Sequence, residues 1–255
     1  MKRAAKGKPA GKAGKAAKPP VVADVPELLR TSLRMLEEKS TKKDRDNLAR
    51  FGIAAARPFG VSMSNLQAIA KSVGRNHELA EALWQTGRYE ARMLATLVDE
   101  PSLVTAAQME RWCRDFDNWG ICDTACFFLF DRTPHAWGKV SKWAGSREEF
   151  VKRSAFALIA SLAVHDKASG DGPFLDALPL IERAASDERN FVKKGVSWAL
   201  RVTGRRSHAL NKATLAVSRR LAESPGPSER WIGKGALREL TSPVVARALA
   251  RSVRL

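Results

Sequence analysis

Val151-Lys152-Arg153-Ser154-Ala155-Phe156-Ala157-Leu158-Ile159-Ala160-Ser161-Leu162-Ala163 is the stretch on which the fold turns. Phe156, Ile159, Leu162 and Ala163 recur at three and four, the period of a helix with a buried face rather than the alternation of a strand. Leu79, Leu83 and Trp84 keep the same period upstream, and from Val25 onward no stretch reads convincingly as a strand. Turn formers separate the periodic stretches, among them Arg57-Pro58-Phe59-Gly60, Thr86-Gly87, Gly170-Asp171-Gly172-Pro173 and Ser224-Pro225-Gly226-Pro227. Gaps this short predict successive helices packed as antiparallel neighbours.

The opening pentapeptide also belongs to a weak repeat. Glu90-Ala91-Arg92-Met93-Leu94, Ile121-Cys122-Asp123-Thr124-Ala125, Val151-Lys152-Arg153-Ser154-Ala155, Val192-Lys193-Lys194-Gly195-Val196 and Ile232-Gly233-Lys234-Gly235-Ala236 place one polar residue at the same helical position. Those residues are Arg92, Asp123, Arg153, Lys194 and Lys234, spaced 31, 30, 41 and 40 residues apart, which suits a helix pair plus turns. The expectation is an all-α chain, an α-solenoid of antiparallel helix pairs whose inner helices line a concave basic face. Four cations on that face could follow a phosphate backbone, each neutralised phosphate releasing counterions. The fifth member is an acid, which repels such a ligand; it is either poorly placed or there for chemistry.

The charge balance points the same way. Across 255 residues, 44 Lys and Arg oppose 27 Asp and Glu, a net charge of +17, so an acidic polymer is the natural partner, with an anionic membrane surface second. Seven of the cations, from Lys2 to Lys18, fall among Ala, Gly and Pro in the first 20 residues, with no acid and no apolar face to bury. Residues 1–22 are therefore expected to be a disordered basic tail adding sequence-independent affinity for DNA, and 23–255 a single helical domain. No apolar core follows the early charges as in a signal peptide, and no run of 18 apolar residues exists to span a membrane. Cys113, Cys122 and Cys126 do not make a disulfide framework and suit a reducing interior; without a further ligand nearby they read as small core residues, not a metal site. No Gly-rich phosphate motif is present.

Around Asp123 the spacing is suggestive. Trp119 lies four residues before it, and Trp198 lies four residues after Lys194, so each indole shares a helix face with a member of the stripe. The two indoles either flank the acid on one surface or are core aromatics beside an ordinary surface charge. Trp84, Trp112, Trp137, Trp143 and Trp231 read as packing residues between helices, and the four histidines are too dispersed for a ligand set.

Several segments, in order, resemble the AlkD-like DNA alkylation-repair family. Arg57-Pro58-Phe59-Gly60 through Lys71 is similar to its first motif, and Leu83-Trp84-Gln85-Thr86-Gly87-Arg88-Tyr89-Glu90-Ala91-Arg92 to its next helix pair. Asn118 to Asp123 resembles its Trp-x-x-x-Asp site motif, and Lys152-Arg153 with Phe191 to Arg201 resembles the two remaining site helices. The likeness runs from about Asp44 to Ser242. Phe150 stands where the family often has Trp before the basic pair, which leaves Lys152 and Arg153 both in play.

The resemblance implies HEAT-like repeats and a DNA glycosylase that removes positively charged N3- or N7-alkylated purines from duplex DNA in base excision repair. It implies Asp123 as the catalytic carboxylate, Trp119 and Trp198 as aromatic walls, and Arg153 as a phosphate contact. Lys152, Arg92, Lys194 and Lys234 join Arg153 as DNA-binding candidates. The family is associated with excision without a base-binding pocket, and no metal or organic cofactor is expected. A cytoplasmic monomer associated with DNA is the simplest expectation; the rival is a non-catalytic helical-repeat scaffold binding DNA or protein.

Overall fold

A computed structural model describes residues 24–55 and 57–252, so the basic tail expected over 1–22 lies outside the described residues. Those residues form fourteen α-helices and one short 3-10 turn, with no strand among them. The helices are α1 (Val25–Glu38), α2 (Lys42–Arg50), α3 (Met63–Val73), α4 (His77–Gln85), α5 (Tyr89–Val98), α6 (Ala106–Arg114) and α7 (Trp119–Phe128). They continue as α8 (Ala136–Trp143), α9 (Glu149–His165), α10 (Gly172–Ala184), α11 (Asn190–Thr203), α12 (His208–Glu223), α13 (Pro227–Leu240) and α14 (Pro243–Ser252). Many start on side-chain caps: Thr41, Ser62, Asn76, Thr105, Asn118 and Ser207 each accept an otherwise orphaned backbone N–H of the first turn.

The helices stack as a two-row solenoid. In one row α5, α7, α9, α11 and α13 pack each against the next; α8, α10 and α12 form the other, set against their partners α9, α11 and α13. The five stripe residues Arg92, Asp123, Arg153, Lys194 and Lys234 fall on the five helices of the first row, one on each. Their wider spacing after Arg153 follows from longer helices, α9 having 17 residues and α12 having 16 against 9 in α6. The close approach of α13 to α12 needs Gly233, where a methyl group would stand 2.4 Å from the Ala222 nitrogen and 2.6 Å from the Ser218 carbonyl oxygen.

Helix α9 lies mid-stack. From Arg153 to Ala163 every residue of α9 is buried, because α7, α8 and α11 surround it. Trp84 and Trp112 stack at 3.9 Å with planes 3° apart, and Trp84 donates its indole N–H to Asp115 at 2.8 Å. With Trp143 they are fully buried, as packing residues should be, and Trp137 is partly buried against the core. Trp231 departs from that expectation: it is 50% exposed, in the cleft between α11 and α13. All three cysteines are buried, Cys113 and Cys122 both hydrogen-bonded to the Ser154 hydroxyl.

One buried acid fixes the segment between α2 and α3. Glu90 on α5 is 1% exposed, and its carboxylate accepts the backbone N–H groups of Phe59, Gly60 and Val61 at 2.9, 2.7 and 3.3 Å. Gly60 sits at φ +81°, and a methyl group there would meet the Thr41 carbonyl oxygen at 2.6 Å, so this turn needs glycine twice over. Arg88 lies over the Phe59 ring, 3.2 Å from its centroid. The carboxylate replaces water for three donors at once and thereby ties the turn leading into α3 to α5.

Candidate active site

The site is assembled at the seam between α7 and α9. Asn118 caps α7 by accepting the Ile121 N–H at 3.1 Å, which sets Trp119 at the first helical position and Asp123 one turn on. Gly120 lets this end of α7 reach α5, since a methyl group there would stand 2.5 Å from the Tyr89 hydroxyl. Asp123 faces Arg153, which donates Nε to Oδ1 at 2.9 Å and Nη2 to Oδ2 at 2.7 Å. The third nitrogen, Nη1, donates to the Phe191 carbonyl at 2.6 Å, so one guanidinium links α7, α9 and α11.

Burial separates the two partners. The Arg153 side chain is 7% exposed and that of Asp123 is 20% exposed, so both are largely withdrawn from water. Burial pushes the Asp123 carboxyl above its usual range, opposed by the charge and the hydrogen bonds of Arg153. The carboxylate in turn raises Arg153, which remains a cation.

Beside the pair lies an open cavity of about 550 Å³, whose lining includes Arg50, Phe51, Trp119, Arg153, Phe191 and Lys194. Trp119 donates its indole N–H to the Phe51 carbonyl at 2.8 Å, pinning the ring in the wall, and the Arg153 guanidinium is 6.0 Å from its centroid. Phe51 is 61% exposed at the rim. The arrangement offers aromatic faces, a fixed carboxylate behind them and cations at the edge, a combination that suits a group carrying positive charge on an anionic chain.

The expected site residues divide between this cavity and other places. Arg153, Trp119 and Lys194 line this cavity, and Asp123 stands behind them, joined to it through its pair with Arg153 and not itself part of the lining. Lys152, one residue from Arg153, turns away to bind Asp187 at 2.9 Å, so Arg153 is the member of the basic pair that meets Asp123. Most of the Arg153 fork is committed inside the protein, which reduces what it has left for a phosphate. Arg92 is engaged with the Trp84 and Asp115 carbonyls at 3.4 and 3.2 Å and with the Asp115 carboxylate at 3.6 Å. Trp198 is half-buried against the core on α11 and is not part of the cavity lining, while Lys234 is exposed on α13 in a separate cleft.

Phe51, Phe191 and Arg50 were not singled out from the sequence. Phe191 sits at the start of the Phe191–Arg201 segment and stacks near Phe150, with centroids 5.5 Å apart. Phe51 and Arg50 lie just before the Arg57–Gly60 turn; an aromatic beside a cation at a helix end was the available signal.

The profile of the family described as "DNA alkylation repair enzyme" matches residues 33–229. Among solved structures, the chain is similar to one titled "A new family of proteins related to the HEAT-like repeat DNA glycosylases with affinity for branched DNA structures". The identity is 19% and the TM-score 0.70, covering 83% of this chain and 95% of that one. A designed armadillo repeat protein aligns over 86% of this chain and 100% of its own, at 13% identity and a TM-score of 0.32. No curated protein matches the chain. Among the described residues no helix is long and apolar enough to cross a membrane. With the profile spanning α1 to the start of α13 and taking in the whole Trp119, Asp123 and Arg153 seam, the chain belongs to the DNA alkylation repair enzyme family.

Proposed function

We propose that this protein is a DNA glycosylase that releases positively charged N3- or N7-alkylated purines from duplex DNA, leaving an abasic site for base excision repair. The observation that carries this reading is the Asp123 carboxylate, fixed by Arg153 beside a cavity walled by Trp119.

An N3- or N7-alkylated purine already bears a positive charge, so no acid has to protonate the leaving base. The C1′–N bond breaks with its electron pair going to the base, which leaves neutral, while the sugar becomes an oxocarbenium ion. Water adds at C1′ and loses its proton to solvent. Asp123 stabilises the sugar cation or orients that water; a unit charge about 4 Å from a carboxylate gains about 4 kcal/mol in a partly desolvated site, against about 1 in bulk water. Trp119 adds attraction for the charged nucleoside of roughly 0.5 to 2 kcal/mol. Trp198 is assigned the second wall, from the neighbouring turn of α11. Arg153 is chiefly a positioning residue, holding the carboxylate in one pose, with a remaining N–H to offer a phosphate. Lys194 and Lys234 contact the backbone of the DNA. The chemistry calls for no metal or organic cofactor, and a monomer working on cellular DNA suffices.

The pairing of Asp123 with Arg153 also favours a second reading. A salt bridge can be structural, and the chain would then be a DNA-binding scaffold without excision activity. Incubation with methylated duplex DNA separates the two: free 7-methylguanine or 3-methyladenine supports the glycosylase, and binding without release supports the scaffold.

A further inference from the structure

A second cleft opens further along α11. It has a volume of about 390 Å³, and its lining includes Ser197 and Arg201 of α11 with Trp231, Lys234, Arg238 and Glu239 of α13. Lys194, Ser197 and Arg201 are spaced three and four apart, so both cavities share one face of α11. Lys194 in the first and Arg201 in the second are roughly 10 Å apart along the helix axis.

Two features distinguish this cleft from a plain basic patch. Trp231 is 50% exposed, whereas Trp119, Trp137 and Trp198 pack against the core. A large indole left in water at a concave, charged place marks a surface that a ligand covers. The cations around it are also available. Glu239 is engaged by Arg201 at 2.5 Å and Arg205 at 3.7 Å, while Lys234 and Arg238 have no ion-pair partner among the described residues. Lys193 holds its ammonium 5.4 Å from the Trp231 centroid.

We propose that this cleft is a stacking subsite for an unpaired nucleotide of DNA, its base lying on the Trp231 indole and its flanking phosphates on Lys234 and Arg238. The cations alone would suit any stretch of duplex. The indole narrows the choice, because a base within a duplex has both faces covered by its neighbours and only an extrahelical or single-stranded base can stack on a side chain. The cleft lies within the size range of small-ligand sites and beside the cavity of Trp119 and Arg153, so an unpaired nucleotide near a lesion reaches it without leaving the protein face. This inference rests on the reading of the chain as a DNA-binding protein and names a substrate feature that it recognises.

The test is fluorescence anisotropy at fixed salt, titrating wild type, Trp231→Ala and Trp231→Phe against a matched duplex and the same duplex carrying a single-nucleotide bulge. Trp231 has no core packing, so both variants should fold, and circular dichroism checks that they do. Wild type is expected to bind the bulged duplex about tenfold more tightly than the matched one. Trp231→Ala should erase that difference while leaving matched-duplex affinity unchanged, and Trp231→Phe should restore most of it. Equal binding of the two duplexes by wild type overturns the subsite but leaves the DNA reading standing, as does a preference that survives in Trp231→Ala. Failure of wild type to bind either duplex overturns both.

Discussion

Arg153 grips Asp123 through two parallel hydrogen bonds across the seam of α7 and α9, at 2.9 and 2.7 Å, and no other residue of the row of cations meets the acid so closely. An acid among phosphate-binding cations looks misplaced when read alone. Paired with a buried guanidinium it becomes a carboxylate held in one orientation by two charge-assisted hydrogen bonds.

That pairing predicts a strong energetic coupling. Asp123→Ala leaves a buried guanidinium unpaired, and Arg153→Ala leaves a carboxylate uncompensated, so each should destabilise the fold by about 3 kcal/mol. The double variant should lose clearly less than the sum of the two, as measured by chemical denaturation. Additive losses would mean that the two groups do not interact.

Two carboxylates make opposite predictions with pH. Burial raises Asp123, so if its ionised form acts, the acid limb of base release should lie above the ordinary carboxylate value of about 3.9. Asp187 is held well below the usual range, first by its hydrogen bond from Arg189 and then by Lys152. A depressed carboxyl contributes stability that is complete above its unfolded value of about 3.9 and is lost as pH falls toward the folded one. Asp187→Asn should therefore flatten the acid-side loss of stability seen in urea or thermal titrations.

The lysines differ in what holds them, and DNA binding should register the difference. Lys194 and Lys234 are exposed and line the two cavities, whereas Lys152 is tied to Asp187. Lys194→Ala and Lys234→Ala should each reduce the slope of log affinity against log salt by about 0.9. Lys152→Ala should leave that slope nearly unchanged and act on stability instead. Equal slopes for all three variants would contradict the assignment.

Much of the architecture was legible because it depends on local periodicity. The three-and-four spacing of Phe156, Ile159 and Leu162 marks α9, and the five aligned segments fall on the five helices of one row, since a repeat in sequence becomes a repeat in stacking. The site was legible only in part. Asp123 and Arg153 are 30 residues apart, and helical spacing gives each residue's face without saying which neighbour it meets across the seam. Nor does it say that Lys152 turns to Asp187, that Glu90 gathers three backbone N–H groups from the turn after α2, or that Trp231 stays exposed. These are facts of packing between distant segments, decided by shape and not by local pattern.

Whether the Asp123 charge drives base release is decided by single-turnover release of 7-methylguanine from methylated duplex DNA, comparing wild type with Asp123→Asn. Asparagine keeps the shape and can still accept a hydrogen bond from Arg153, but it removes the charge. Wild type is expected to release the base, and Asp123→Asn, with duplex binding retained, to be slower by about 100-fold or more. Equal rates for the two proteins would contradict that role of the charge.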